Sequence, residues 1–171
     1  FIGKDVRDTQ KKLDVIIETY GIQDNIFFIG AQSNPYKYMK RATALISPSK
    51  SEGLPGVLIE SLLLNTPVIA SNSSLGVWEI LGLKYSEKKC NHYALKGIIT
   101  SNENVLDSLD DISINYDDKK MADAIISLLH DKELYNRMKK APFLFESQIT
   151  PDIARKYNAS SWKVTSMRID N

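Results

Sequence analysis

Apolar residues follow two rhythms along the chain. Short runs, apolar at successive positions, occur at FIG (1–3), NIFFIG (25–30), TALISP (43–48), PVIASN (67–72) and GIIT (97–100). Between them lie segments with apolar residues three and four apart. Residues 7–20 place Leu13, Ile16, Ile17 and Tyr20 on one stripe that stops at Gly21, the pattern of an amphipathic helix with a glycine C-terminal stop. Such alternation predicts βαβ units around a parallel sheet. Because IFFI and ALI are apolar at every position, both faces of their strands should be covered by helices. The fold class read from the pattern is α/β, a parallel sheet with helices on both faces.

The remaining elements follow from punctuation. Pro35 opens a short helix over YKYMKRA, and Pro55-Gly56 introduces VLIESLLL, where proline is tolerated in a first turn. Asn65 then stands where a left-handed stop is wanted. A turn of helix is predicted over VWEIL after Gly76, and an acid-rich loop from Ser101 to Lys119. Met121 to Leu129 is helical by the spacing of Ala122, Ile125, Ile126 and Leu129; Asp131 is an N-cap for KELYNRMKK, and Pro151 opens a last helix toward Met167. This makes residues 1–171 one domain, with 151–171 its C-terminal helix.

Composition narrows the function classes. Hydrophobic residues make up 43% and charged residues 25% of the chain, as in ordinary globular domains. A net charge of +1 supplies no field for DNA or an anionic membrane, so nucleic acid is not an expected partner. The longest apolar runs, such as Leu62 to Leu64, fall far short of the roughly 18 residues of a membrane span. The lone Cys90 excludes an internal disulfide and is read as a packing residue. His92 and His130 have no paired spacing, and the acids Asp107, Asp110, Asp111, Asp117 and Asp118 lack the pattern of a calcium loop, so no metal is expected. The opening Phe1-Ile2-Gly3 reads as the tail of a strand, which predicts a fragment of something longer.

The chemistry concentrates in SEGLPGVLIE, residues 51–60. This loop follows the strand TALISP and precedes a helix, so it should lie at the C-terminal edge of the sheet, where open α/β folds bind ligands. Gly53 and Gly56 permit close backbone approach, and the first-turn amides invite an anion. Glu60, inside the helix, is ill suited to phosphate but suited to the vicinal hydroxyls of a ribose. Glu52, at the loop tip, would face the hydroxyls of whatever lies beyond the phosphates. Phosphate in the middle, a diol at one end and a polyol at the other outline a nucleotide sugar.

The segment SPSKSEGLPGVLIESLLLNTPVIAS resembles the donor-binding, C-terminal half of GT-B fold glycosyltransferases, in the large retaining family 4 known as glycosyl transferases group 1. The likeness extends upstream through FIGKDVRDTQKKLDVIIETYGIQDNIFFIGAQSNPYKYMKRA and downstream past GIIT to about Met138. It implies a Rossmann-like domain in which Glu60 binds the ribose hydroxyls and Glu52 contacts the donor sugar and helps catalysis. Main-chain groups of Gly53, Leu54, Gly56 and Val57 would meet sugar and diphosphate, and those of Gly30, Ala31 and Gln32 the base. Ser49 is a further donor-site candidate, Glu79 occupies a position near the donor, and Lys50 is read as solvated.

The chain departs from the family pattern in three places. An Arg and a Lys that clamp the diphosphate belong to a strand and helix expected before Phe1. Gly-x-Gly is replaced by Gly3-Lys4-Asp5, and the glycine before PVIA by Asn65-Thr66. The implied reaction transfers a sugar with retention from a nucleotide diphosphate donor, with a UDP-sugar expected, to an acceptor hydroxyl, without metal or other cofactor. The implied setting is cytoplasmic surface polysaccharide assembly, of capsule or lipopolysaccharide. A saccharide or lipid-linked acceptor, and any peripheral attachment to the membrane, would engage an N-terminal domain outside this chain. Two alternatives stay open: a non-catalytic nucleotide-binding or protein-interaction module of the same fold, and a GT-B sugar-nucleotide epimerase.

Overall fold

The structure, a computed structural model, describes residues 1–3, 9–103 and 114–143. The helix expected from Pro151 and the acids Asp107, Asp110 and Asp111 lie outside them. The described residues fall into two compact units, one running from Phe1 to Pro35 and the other taking in Tyr36 to Glu103 and Asn115 to Phe143.

In the first unit, helix α1 (Thr9–Tyr20) ends where predicted. Gly21 adopts φ +63°, and the Ile22 amide donates back to the Ile17 carbonyl at 3.1 Å, closing the helix with a left-handed turn. Of the predicted stripe Ile17 is buried, but Tyr20 is 58% exposed. The strand expected at 25–30 is not formed. Residues Gln23–Asn25 make a 3-10 turn, and among the described residues three bonds join the following stretch to the N-terminus, from the Phe1 amino group to Phe27 O, Ile29 N–H to Phe1 O and Gly3 N–H to Gly30 O. An apolar run can specify burial, but a ladder needs a partner in register. Here the contact is a stack of the Phe1 and Phe28 rings, and Phe27 stays 67% exposed.

The second unit carries the sheet. Strands β1 (Leu45–Ser47), β2 (Val68–Ser71) and β4 (Gly97–Thr100) run parallel, and the short β3 (His92–Tyr93), which the apolar pattern did not reveal, pairs antiparallel with β4 in the order β1-β2-β4-β3. Every residue of β2 and β4 is buried. The pleat divides them: Val68, Ala70 and Ile99 pack with helices α3 (Gly56–Leu63) and α4 (Leu75–Leu81), whereas Ile69 and Ile98 pack with α5 (Tyr116–His130) and α6 (Lys132–Lys140). Helices thus cover both faces of β2 and β4, whereas β1, where the ALI run predicted the same, is only partly covered, with Ile46 38% exposed. Burying side chains such as Leu58, Ile59 and Leu62 completely is worth about 1.5–3 kcal/mol each.

Three local devices fix the ends of these helices. The short α2 (Tyr36–Arg41) packs on α3 and is pinned by buried Thr66, whose hydroxyl donates to the Met39 carbonyl at 2.8 Å. The helix predicted from Met121 begins earlier, because Asn115 and Asp118 form a reciprocal capping box hidden inside the acid-rich stretch. Asp117, expected in the acid-rich loop, is instead buried in the first turn of α5 and accepts the Glu103 amide at 2.8 Å. Asp131 caps α6 as predicted, accepting from Leu134 N at 2.9 Å. Cys90, read as a packing residue, is exposed, with its Sγ 3.7 Å from His92 Nε2. It lies outside both apolar clusters, on the stretch leading into β3. No described helix is long and apolar enough to cross a membrane.

Asn65 takes up the left-handed conformation at φ +58°, and the Thr66 amide closes the turn on the Ser61 carbonyl. A non-glycine residue pays about 1–2 kcal/mol for that conformation. Its side chain explains the choice: Asn65 Oδ1 accepts from the ammonium of buried Lys96 at 3.2 Å, and the same ammonium donates to the Ala141 carbonyl at the end of α6. Burial lowers the Lys96 pKa below 10.5. Its charged form is therefore disfavoured in the fold, and stability should climb as pH rises from the lowered folded value toward the ordinary 10.5. Urea melts across that alkaline window should show the gain in the native chain and lose it in Lys96→Met; parallel slopes would contradict the assignment.

Candidate functional site

Because β1, β2 and β4 are parallel, the loops that follow them emerge at one edge of the sheet. These loops are tied to one another by their main chains. Asn102, just past β4, donates from Nδ2 to the Lys50 carbonyl at 2.8 Å and to the Asn72 carbonyl at 3.3 Å. Ser71 Oγ donates to the Ser49 carbonyl and lies 3.4 Å from that of Ser47. The Glu52 amide donates to Ser73 O at 3.3 Å, and Ser74 Oγ to Gly53 O at 2.7 Å. Asn72 is itself held, its Oδ1 accepting from Trp78 Nε1 at 2.7 Å.

Gly76, in the first turn of α4, completes the clamp. A Cβ there would come within 2.4 Å of the Gly53 carbonyl oxygen and 3.2 Å of Leu54 Cα, so the loop lies directly against the helix backbone. Glycine is required here for space.

The loop delivers the chain to α3 with Pro55 as N-cap, a residue with no side-chain acceptor to offer the first turn. The Leu58 amide turns back to the Pro55 carbonyl at 3.1 Å, whereas the Gly56 and Val57 amides belong to the group that a helix leaves without internal partners. Leu58, Ile59, Ser61 and Leu62 are buried, which turns Gly56, Val57 and Glu60 to the opposite side. Glu60 stands three and four residues beyond Val57 and Gly56, on their face, and helical side chains lean toward the N-terminus. Glu60 thus shares the outward side of the helix with Gly56 and Val57 at its start.

Glu60 is half-buried, and this desolvation raises its pKa, an effect partly opposed by a hydrogen bond from the Tyr36 phenol. The phenol's own pKa is raised, chiefly by the negative charge of Glu60 and further by burial and by that hydrogen bond. The acid is neither turned to bulk water nor buried in the core.

Residues 1–110 match the family described as Glycosyl transferases group 1. The chain belongs to that family. It is 33% identical over 136 residues to an uncharacterized glycosyltransferase of Methanocaldococcus jannaschii, a match covering 76% of this chain and 34% of the relative. Over 72 residues it is 42% identical to the capsular polysaccharide biosynthesis glycosyltransferase CapH of Staphylococcus aureus, covering 42% of this chain and 20% of CapH. Among solved structures it resembles HepE of Anabaena in complex with UDP, with TM-score 0.60 at 16% identity, over 91% of this chain and 35% of that one. The chain thus spans about a third or less of each of these proteins, and the fold is that of GT-B glycosyltransferases.

In this glycosyl transferases group 1 chain, Ser49, Glu52, Gly53, Leu54, Gly56, Val57 and Glu60 lie on one continuous loop and helix start. Glu52 is exposed at the tip, Leu54 is half-buried against α4, and Ser49 contributes a carbonyl to the ties beneath the loop. Lys50 is exposed, and its carbonyl serves Asn102. Glu79 lies in α4 with its Oε2 shielded from solvent. Gly30, Ala31 and Gln32 belong to the first unit. There Gly30 has φ +66° with its carbonyl engaged by Gly3 N–H, and Gln32 Nε2 donates to Ile29 O at 2.6 Å. Among the described residues no group of three or more His, Cys, Asp or Glu is placed to hold a metal.

Tyr36, Asn102, Ser74 and Gly76 escaped the sequence reading as site residues. A tyrosine beside a proline signals only a helix start, and an asparagine in a polar stretch signals only a loop. Gly76→Ala should displace the loop from α4, costing about 1–3 kcal/mol of stability in a denaturant melt and moving the amide resonances of residues 51–55. A melt unchanged from the native chain would show that the close approach is not enforced.

Proposed function

We propose that this chain is the donor-binding domain of a retaining glycosyltransferase that takes a nucleotide diphosphate sugar, with UDP as the nucleotide. The observation that carries the reading is that Glu60, half-buried, stands on the outward side of α3 one turn beyond the first-turn amides of Gly56 and Val57. Amides at a helix start attract the diphosphate, and a carboxylate one turn further along accepts from two neighbouring ribose hydroxyls. The UDP complex of HepE and the family membership support this reading. Main-chain groups of Gly53, Leu54, Gly56 and Val57 meet the sugar and diphosphate. Glu52 contacts the sugar.

In the proposed reaction the bond between the anomeric carbon and the phosphate oxygen breaks as the acceptor oxygen bonds to that carbon. The acceptor's proton passes to the leaving phosphate oxygen, so the step needs no separate base. Charge grows on the diphosphate as the bond breaks, and amides already oriented toward it stabilise that state more than the ground state. Neither a metal nor another cofactor enters the proposed step. The acceptor is a saccharide or lipid-linked saccharide held outside this chain, in cytoplasmic assembly of a surface polysaccharide, a setting the likeness to CapH supports.

Hydrogen bonds to a charged group are worth about 1.5–3 kcal/mol each, so Glu60→Ala in the full-length protein should weaken UDP binding at least tenfold with the fold kept. Calorimetric titration with UDP measures it, and unchanged affinity would count against the reading. Glu52→Gln should instead lower kcat by about tenfold or more while leaving UDP affinity within a factor of two, as expected for a group that acts on the sugar.

A further inference from the structure

The loop between β1 and α3 and the loop after β2 meet at the ligand-facing edge, and Asn102 bonds to both at once. Its Nδ2 donates to the Lys50 carbonyl at 2.8 Å and to the Asn72 carbonyl at 3.3 Å. Both neighbours are acceptors, so the amide nitrogen faces them and uses its two hydrogens there. The Asn102 backbone is anchored on either side. The Asn72 amide donates to the Thr100 carbonyl at 2.9 Å, and the Glu103 amide donates at 2.8 Å to the carboxylate of buried Asp117 in the first turn of α5. A donor held in this way fixes a carbonyl two residues before Glu52.

Glu52 itself is exposed, and its amide reaches Ser73 O at 3.3 Å, long for an N–H···O bond. The Gly53 carbonyl accepts from Ser74 Oγ at 2.7 Å. Ser73 and Ser74 directly follow Asn72, whose carbonyl Asn102 also holds. Releasing Asn102 therefore loosens the tip twice, at Lys50 on the loop itself and at the root of the segment that supplies the other two ties. The start of α3 does not share this dependence, because burial of Leu58, Ile59 and Leu62 holds the helix. A carboxylate that acts on a bound sugar must sit within a fraction of an ångström of its productive position. Loss of Asn102 thus falls on the transfer step more than on nucleotide affinity.

We infer that Asn102 is a positioning residue for transfer, tying the loops after β1 and β2 together so that Glu52 is presented to the donor sugar in one place. The inference rests on the proposed role of Glu52. Asn102 acts through the backbone of the tip and does not touch the reacting atoms.

The test uses the full-length protein, calorimetric titration with UDP, and kcat for UDP release from whichever of a panel of UDP-hexoses and UDP-N-acetylhexosamines the native protein turns over fastest. Asn102→Ala removes the donor, and Asn102→Asp keeps its size but turns a carboxylate toward two carbonyls. Asn102 is only half-buried, and thermal melts check that both variants keep the fold. The expected result is a kcat at least threefold lower in Asn102→Ala and lower still in Asn102→Asp, with Kd for UDP within a factor of two. In a Glu52→Gln background, Asn102→Ala should lower kcat by less than a further factor of two, since residues acting through one contact are not additive. Effects that multiply in full, or a Kd for UDP that rises as far as kcat falls, would show general support of the domain and overturn the inference. If Glu52→Gln lowers kcat while both Asn102 variants keep the native value, positioning by Asn102 is overturned and the role of Glu52 stands. If Glu52→Gln keeps the native kcat, or the native protein releases UDP from no donor in the panel, both fall.

Discussion

Everything at the ligand-facing edge depends on how the backbone between β1 and α3 is held. A loop of this length, carrying Gly53, would ordinarily sample many conformations, and each residue fixed costs about 1–2 kcal/mol in entropy. Here the carbonyls of Ser49, Lys50 and Gly53 and the amide of Glu52 are each engaged by groups at the end of β2 or in the loops that follow β2 and β4. The ordering cost is therefore met on folding, with no ligand needed. A surface prepared in this way would lose little freedom on meeting a ligand.

The same ties make the site a product of the whole sheet. Asn102 follows the last parallel strand, Asn72 the middle one and Lys50 the first, so their hydrogen bonds require β1, β2 and β4 in register. On the other side of α3, Asn65, Lys96 and Ala141 link the helix C-terminus to α6 through one buried ammonium. The helix that presents Glu60 is thus fixed at both ends by polar contacts and along its length by apolar burial.

Much of this was legible in the residues. Burial on both faces is a property of each strand, written into its own side chains, and β2 and β4 show it fully; β1 does not, because Ile46 at the edge of the sheet stays 38% exposed. Glu60 was legible for a related reason: an acid among buried neighbours on a short helix has few places to point. What escaped were contacts between distant segments. Tyr36 and Glu60 are far apart in sequence, as are Gly53 and Gly76, and nothing in local spacing encodes their meeting. The stretch at 25–30 misled because apolar content alone does not provide a ladder partner, and the capping box at Asn115 was concealed by the acidic residues around it.

The division of α3 into a buried side and an outward side also bears on how this site can change over generations. Leu58, Ile59 and Leu62 cannot drift without loss to the core, so the helix axis is effectively frozen by stability. Val57, 37% exposed, and Glu52 at the loop tip carry no such burden. Outward side chains such as Val57 can therefore be exchanged on an unchanged backbone, letting a lineage vary the surface it presents while its scaffold stays under purifying constraint.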